Sequence, residues 1–441
     1  MRRIRKYVVL CSLFFVLAWG VLRGNAAEAA DKEEAMPKDS ELYSYGAVLM
    51  DAKSGRVLFG KNSDEQLPMA STTKIMTCIV ALELGNLEDV VTASAYASSQ
   101  PKVKLYLNKG EQVLLEDLLY SLMLESHNDT AAAIAEHIGA MLLDMENDRE
   151  AVKNRSIETS KKAVAAFIKA MNEKAAQLQC YNTWFITPNG LDATETFLGE
   201  EGQNLSRIHS TTARELARIM SYCILWSPQK EKFLEITGTY RYDFNNVENS
   251  RSFCCSNHNA FLNMMEGALS GKTGYTGQAG YCYVGALERD GRYFVVSLLN
   301  SGAYGNKTRK WKDVCRLMGY GIQCFAEKEV FDGQVKSREI LVYNAKPEPG
   351  KYFEAVSVRT CVQGQKPVSV LLADWEKAEV IIRQKEQLIA PVHRGQLVGQ
   401  VEVWGAGKCL EKFDIVCSAE IEEKDYMDKL SYIFFIYFCS K

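Results

Sequence analysis

The chain is 441 residues long, 47% hydrophobic and 24% charged, with a formal net charge of -3. That length exceeds what one compact core holds and predicts two or three domains. The near-neutral balance, with no basic stripe interleaved with aromatics, argues against a nucleic-acid-binding surface.

The first elements set the compartment. Arg2, Arg3, Arg5 and Lys6 precede an apolar stretch over residues 7–22, and Ala26, Ala27, Ala29 and Ala30 supply small-residue cleavage positions. This is the pattern of a secretory leader over residues 1–29. An uncleaved anchor is the alternative; either way the remainder lies outside the cytoplasm. Of 13 cysteines, 12 remain once Cys11 leaves with the leader, and none forms a C-x-x-C pair. Export favours disulfides, yet Cys78 and Cys223 fall in apolar helical runs, where a thiol acts as a small hydrophobe. Most cysteines are therefore read as free.

Residues 30–42 read as a polar linker. Residues 45–51 and 56–59, around Lys53-Ser54-Gly55, read as two strands and a tight turn. The tetrad Ser71-Thr72-Thr73-Lys74 opens an apolar run, residues 75–84, predicted to be a helix hidden in a core. Residues 116–137 are helical with a break at Ser126-His127-Asn128-Asp129, residue types that favour caps and turns. The charge-rich stretch 140–162, which includes Arg149, Glu150 and Arg155, reads as a solvated insertion. An amphipathic helix spans 163–177. Thr187-Pro188-Asn189-Gly190 is a turn. Thr212 and Glu215 have capping-box spacing before another apolar run. Residues 281–287 and 293–299 flank an Asp290-Gly291 hairpin turn, and a helix over 307–325 closes this part. The composition then shifts to short alternating strands, which predicts a small all-β domain over 329–420. The tail, 421–441, ends in an aromatic-rich apolar run too short to span a bilayer. As a helix it would lie on a membrane surface; the alternative is an end tucked onto a domain.

The chemistry starts at Ser71. Residues i and i+3 share a helix face, so Lys74 faces the Ser71 hydroxyl. A serine becomes a nucleophile when a neighbouring base takes its proton, and a lysine with a lowered pKa serves as that base. Alone the tetrad is weak, because a capping serine beside a surface lysine has the same spacing. Two more motifs follow in order. Ser126-His127-Asn128 offers a hydroxyl and an amide at the helix break. Lys272-Thr273-Gly274 lies before the hairpin on a predicted edge strand, where the glycine permits close backbone approach.

Ser-x-x-Lys, Ser-x-Asn and Lys-Thr-Gly in that order, in an exported chain, resemble the low-molecular-mass penicillin-binding proteins that act as serine-type D-alanyl-D-alanine carboxypeptidases. The likeness extends to residues 68–74, 187–192, 272–276, 279–281 and 390–396. Residues 306–312 further resemble the sporulation-type members. The resemblance implies an α+β fold, with a serine DD-peptidase/β-lactamase-like domain over 43–328 (an antiparallel sheet with helices on both faces) followed by the β domain. It implies catalytic roles for Ser71, Lys74 and Ser126. Asn128, Lys272, Thr273, Gly274, Tyr275 and Thr276 would bind substrate, with the Ser71 and Tyr275 N–H groups as oxyanion donors. The implied substrate is a peptidoglycan stem peptide, with β-lactams as inhibitors and no metal or cofactor. The location implied is extracytoplasmic, at the cell wall, with the tail on the membrane surface.

Two departures stand out. His127 occupies a position where small residues are common in the family; it is read as facing solvent, and tuning the cleft is the alternative. The arginine that many relatives carry after the strand ending at Asn300 is replaced by Ser301-Gly302-Ala303-Tyr304. Competing readings are a β-lactamase, for which Glu195 is the faint candidate carboxylate, and a catalytically silent wall-binding scaffold. Endopeptidase activity on cross-links would use the same site. Gly267 and Gly271 enclose three residues where a P-loop needs four. No H-E-x-x-H motif is present, Gly405-Ala406-Gly407 is a turn, and His209 is read as structural.

Overall fold

The computed structural model describes residues 36–439 except 199–202, 304, 337, 349–350 and 352–353. The predicted leader lies outside the described residues. The contacts divide the chain into one body that runs to Gln323 and a second that begins at Cys324.

The first body is built on a five-stranded sheet. Strands β1 (Gly46–Asp51) and β2 (Val57–Lys61) come early in the chain. Strands β3 (Ala268–Thr276), β4 (Gly280–Arg289) and β5 (Arg292–Leu299) come late. The order is β3-β4-β5-β1-β2, all antiparallel, with Met50 opposite Val295 and Lys272 opposite Val284. The Asp290-Gly291 turn has φ of 53° and 75° at its two residues, as a tight hairpin turn requires. Strand alternation splits the sheet into two faces. Val48, Met50, Val284, Ala286 and Val295 join the main helical core. Leu49 and Phe294 instead meet Gly321 of the last helix of this body, Arg309–Cys324.

Helix α1 (Lys74–Leu84) is buried on every side from Lys74 to Leu82, which accounts for its unbroken apolar run. The predicted break falls between α2 (Leu115–Leu124) and α3 (Asn128–Leu142), with Ser126 at φ 71°. Helix α4 (Ile157–Gln177) begins six residues earlier than its apolar periodicity indicated. Ser156 caps it by accepting from the Thr159 N–H. Thr212 caps α5 (Ala213–Ser221) by accepting from the Glu215 N–H. The Glu215 carboxylate does not return the bond; it takes the Asn182 N–H and the Thr183 hydroxyl instead. The 140–162 stretch is not uniformly solvated, as read from its charge. Arg155 is turned inward onto Glu136 at 3.0 Å, and both side chains are buried. Two hydroxyls, Ser94 and Ser160, complete the surroundings of that carboxylate.

The second body is all-β. Its six-stranded sheet runs in the order Ala378–Gln384, Leu397–Gly405, Lys408–Cys417, Ser357–Val362, Glu339–Tyr343, Gln387–Ile389. Phe325–Phe331 pairs with Val368–Ala373. Its core gathers Phe331, Ile340, Val401, Val403, Phe413 and Ile415. A helix, Tyr426–Cys439, ends the described chain, with Tyr426, Phe434, Tyr437 and Phe438 exposed. Among the described residues no helix is long and apolar enough to cross a membrane. The cysteines from Cys78 to Cys417 are free.

Candidate active site

Ser71 sits in a short 3-10 turn, Ala70–Thr73, that runs directly into α1. Ala70 holds a left-handed φ of 48°. Local hydroxyls fix this turn. Thr72 donates to the Met69 carbonyl at 2.6 Å and Thr73 to the Ala70 carbonyl at 2.8 Å. His209 braces it from below. Its Nδ1 accepts from the backbone N–H groups of Ile186 and Thr187, so its proton sits on Nε2 and is donated to Thr73 Oγ1 at 2.7 Å. Burial, then the nearby Lys74, lower its pKa to about 3. His209 is thus a neutral brace.

The Thr187-Pro188-Asn189-Gly190 turn closes over the other side. A Cβ on Gly190 would lie 2.0 Å from the Ala70 carbonyl oxygen, and Gly190 has φ of 84°, so only glycine fits there. The Pro188 carbonyl accepts from Thr77 of α1 at 2.6 Å. This docking carries the Asn189 carbonyl to Lys74.

Lys74 is fully buried and makes three short contacts: Asn189 O at 2.6 Å, Asn128 Oδ1 at 2.8 Å and Ser71 Oγ at 3.0 Å. Asn128 directs its Nδ2 to the carbonyls of Pro101 and Lys102, so its Oδ1 faces Lys74 as a pure acceptor. The Asn189 carbonyl is also a pure acceptor. A neutral amine has two N–H groups and one lone pair. In that neutral form the two acceptors use both N–H groups and leave a lone pair able to receive the Ser71 proton, which in the structure points to the Asn189 carbonyl at 3.4 Å. Burial, then the charge of Lys272, push the Lys74 pKa well below its usual range, against the pull of Asp129.

The edge strand β3 forms the opposite wall. A Cβ on Gly274 would come within 2.9 Å of the Ser71 nitrogen and 3.1 Å of the Thr72 nitrogen. That closeness brings Tyr275, the next residue on β3, beside the Ser71 turn. Lys272 is 2% exposed and its Nζ donates to the Thr273 carbonyl at 3.1 Å. Burial, then the charge of Lys310, lower it to about 7. The Ser126 hydroxyl is buried and unpartnered.

The structure therefore joins Ser71, Lys74 and Asn128 by direct hydrogen bonds and sets Gly274 against the Ser71 turn. Ser126 and Lys272 make no hydrogen bond to these groups. Thr276 is engaged elsewhere: its hydroxyl donates to Asp192 at 2.9 Å and accepts from the Ala279 N–H. Glu195 lies on a separate hairpin and accepts the Trp184 indole N–H. His127 does not face solvent as read. It is 4% exposed and bonded to Ser121, because the helix break turns it under α2.

Two groups escaped the sequence reading. One is the Asn189 carbonyl, whose signal was the Asn-Gly turn. The other is Lys310, 6% exposed, near the start of the Arg309–Cys324 helix. Its ammonium lies 5.3 Å from the Tyr281 ring and 4.9 Å from the Trp311 ring. Tyr281 in turn packs on Tyr275 at 4.5 Å. Among the described residues Lys310 has no carboxylate partner, and burial lowers it to about 8. The signal was a lysine in the Lys307-to-Lys312 cluster, masked by its three basic neighbours.

Comparison with known proteins identifies the family and the fold. The family described as D-alanyl-D-alanine carboxypeptidase matches residues 31–149 and 155–302. The family described as penicillin-binding protein 5, C-terminal domain, matches residues 365–423. The chain is 26% identical to the D-alanyl-D-alanine carboxypeptidase DacF of Bacillus subtilis over 96% of each chain. It is 27% identical to DacC of Escherichia coli over 87% of this chain and 85% of the relative. Among solved structures, the carboxypeptidase DacD of Francisella tularensis superposes with a TM-score of 0.63 at 20% identity, over 88% of this chain and 96% of that one. Penicillin-binding protein 5 of Haemophilus influenzae does so with a TM-score of 0.61 at 23% identity, over 88% and 99%.

Proposed function

The chain belongs to the D-alanyl-D-alanine carboxypeptidase family, and from that footing we propose how its residues remove the terminal D-alanine of a peptidoglycan stem pentapeptide. The observation that carries the reading is the Lys74 amine, with two obligatory acceptors on its N–H groups and the Ser71 hydroxyl on its third contact.

Neutral Lys74 takes the Ser71 proton as Oγ attacks the penultimate D-alanine carbonyl. General-base assistance of this kind contributes roughly 10²–10⁴-fold. The carbonyl oxygen becomes an oxyanion held by the N–H groups of Ser71 and Tyr275, where each donor contributes about 10²–10³ in kcat. The C–N bond then breaks. The leaving D-alanine nitrogen collects a proton relayed from Lys74 through the unpartnered Ser126 hydroxyl, with protonated Lys272 close to the path. Water enters, Lys74 again serves as base, and the acyl-enzyme is released. Asn128 both orients Lys74 and offers its remaining Oδ1 lone pair to the substrate's amide side. Thr273 takes the terminal carboxylate, with Thr276 fixing the turn beside it. Lys310 supplies the positive field that the missing arginine leaves vacant. A β-lactam presents a similar carbonyl and carboxylate and acylates Ser71.

The same reading places the protein outside the cytoplasm. The basic and apolar pattern of residues 1–29 supports export, and the exposed aromatic helix Tyr426–Cys439 supports contact with a membrane surface. The likeness of residues 306–312 to sporulation-type members supports a role in a spore-forming cell. Release of free D-alanine from a synthetic pentapeptide tests the function. Wild type releases it and Ser71→Ala, folded by circular dichroism, does not. Equal release by both would overturn the assignment.

A further inference from the structure

His127 is an imidazole inside the Ser-x-Asn segment that the hydrolytic chemistry leaves unused. Its Nε2 lies 3.2 Å from Glu125 Oε2, and its Nδ1 lies 2.8 Å from Ser121 Oγ. A third donor comes from a distant segment. Cys255 sits on the strand Ser252–Ser256, with its side chain inward while that of Cys254 is exposed. One donor atom each from Glu125, His127 and Cys255 lies within 4.8 Å of the others. Two bonds hold the segments in this relation. The Ser256 N–H donates to Glu125 Oε1 at 2.9 Å, and the His258 N–H donates to the Leu124 carbonyl at 3.0 Å.

An imidazole nitrogen, a thiolate sulfur and a carboxylate oxygen form a donor set suited to zinc, whereas calcium and magnesium take oxygen donors alone. Zinc bonds of about 2.0–2.3 Å space tetrahedral ligands roughly 3.3–3.8 Å apart. The Glu125 side chain is a quarter exposed, so it has room to close on an ion and marks the entry path. The shell behind the ligands is already built. Ser121 Oγ engages His127 Nδ1 and is itself 3.0 Å from Thr130 Oγ1. With the proton on Nδ1, the Nε2 lone pair faces Glu125 and the metal position.

We propose that Glu125, His127 and Cys255 bind a zinc-class divalent cation, with water in the remaining position. Binding converts the Cys255 S–H to an S–metal bond and releases its proton to solvent. Because His127 lies between Ser126 and Asn128, the ion ties the active-site segment to the strand that carries Cys255.

The test is titration of the metal-free full-length chain with Co2+ and then Zn2+. Expected are one Co2+ per chain, a near-ultraviolet thiolate-to-cobalt absorption band, about one proton released per ion, and loss of the band when Zn2+ is added. Cys255→Ser abolishes the band, Cys254→Ser retains it, and Glu125→Gln weakens binding by about tenfold or more. Glu125→Gln also serves if Cys255→Ser does not fold. Absence of the band in wild type, its survival in Cys255→Ser, or unchanged affinity in Glu125→Gln would overturn the site and leave an ion pair packed beside a thiol.

Discussion

Gly274→Ala probes the wall that faces Ser71, the proposed nucleophile. The added methyl would lie 2.9 Å from the Ser71 nitrogen, 3.0 Å from the Ala70 Cβ and 3.1 Å from the Thr72 nitrogen. Ordinary contact begins at 3.4 Å, so strand β3 must withdraw by about 0.5 Å, the difference between 3.4 and 2.9 Å. The Ser71 turn does not yield, because Thr72, Thr73 and His209 clamp it. Withdrawal separates the proposed oxyanion donors of Ser71 and Tyr275. Complete loss of one such donor costs about 10²–10³-fold, and misplacement by about 1 Å can cost about 10²-fold. We expect acylation by a fluorescent penicillin to slow by about 10–10²-fold, measured as a second-order rate by stopped flow. Overpacking of this kind costs about 1–3 kcal/mol, so the melting temperature should fall by several degrees, and the rate is measured at a temperature where circular dichroism shows the variant folded. Acylation within about twofold of wild type, in folded protein, would refute the close-approach argument.

The pH dependence follows from opposed requirements on two lysines. Lys74 must be neutral and Lys272 protonated, so kcat/KM rises through the depressed Lys74 pKa and falls as pH passes about 7, where Lys272 deprotonates; a rate still climbing above pH 9 would contradict this. Lys310→Met removes a charge that lowers Lys272. The falling limb should therefore move to higher pH, while KM for the anionic peptide rises by about 5–10-fold, on the order of 1 kcal/mol at a partly screened charge. No change in either would remove Lys310 from the account. Arg155→Met strands the buried Glu136 carboxylate, and thermal or urea unfolding should show a loss of about 3–5 kcal/mol. A loss below about 1 kcal/mol would mean that the pair is solvated.

Much of this architecture was readable from local rules. The Asp290-Gly291 turn, the unbroken apolar run after Lys74 and the cap-forming residues at 126–129 each led to the element found. The contact between Ser71 and Lys74 was legible because i, i+3 spacing is a property of helices. What escaped depends on chain segments far apart in sequence. The Asn189 carbonyl reaches Lys74 only because Gly190 lets its turn dock on Ala70, and spacing does not report docking. Lys310 and Arg155 each sit in a charge cluster, where composition predicts solvent and tertiary packing selects one member for burial. His127 was misplaced because a polar residue at a helix break reads as exposed, whereas the break turns it under α2 onto Ser121.

The central claim is that Ser71 carries the acyl group. Tandem mass spectrometry of peptides from penicillin-treated protein measures this directly. The account predicts a penicilloyl adduct on Ser71, absent from Ser71→Ala. An adduct on any other residue, or an unlabelled Ser71 in folded protein, would contradict it.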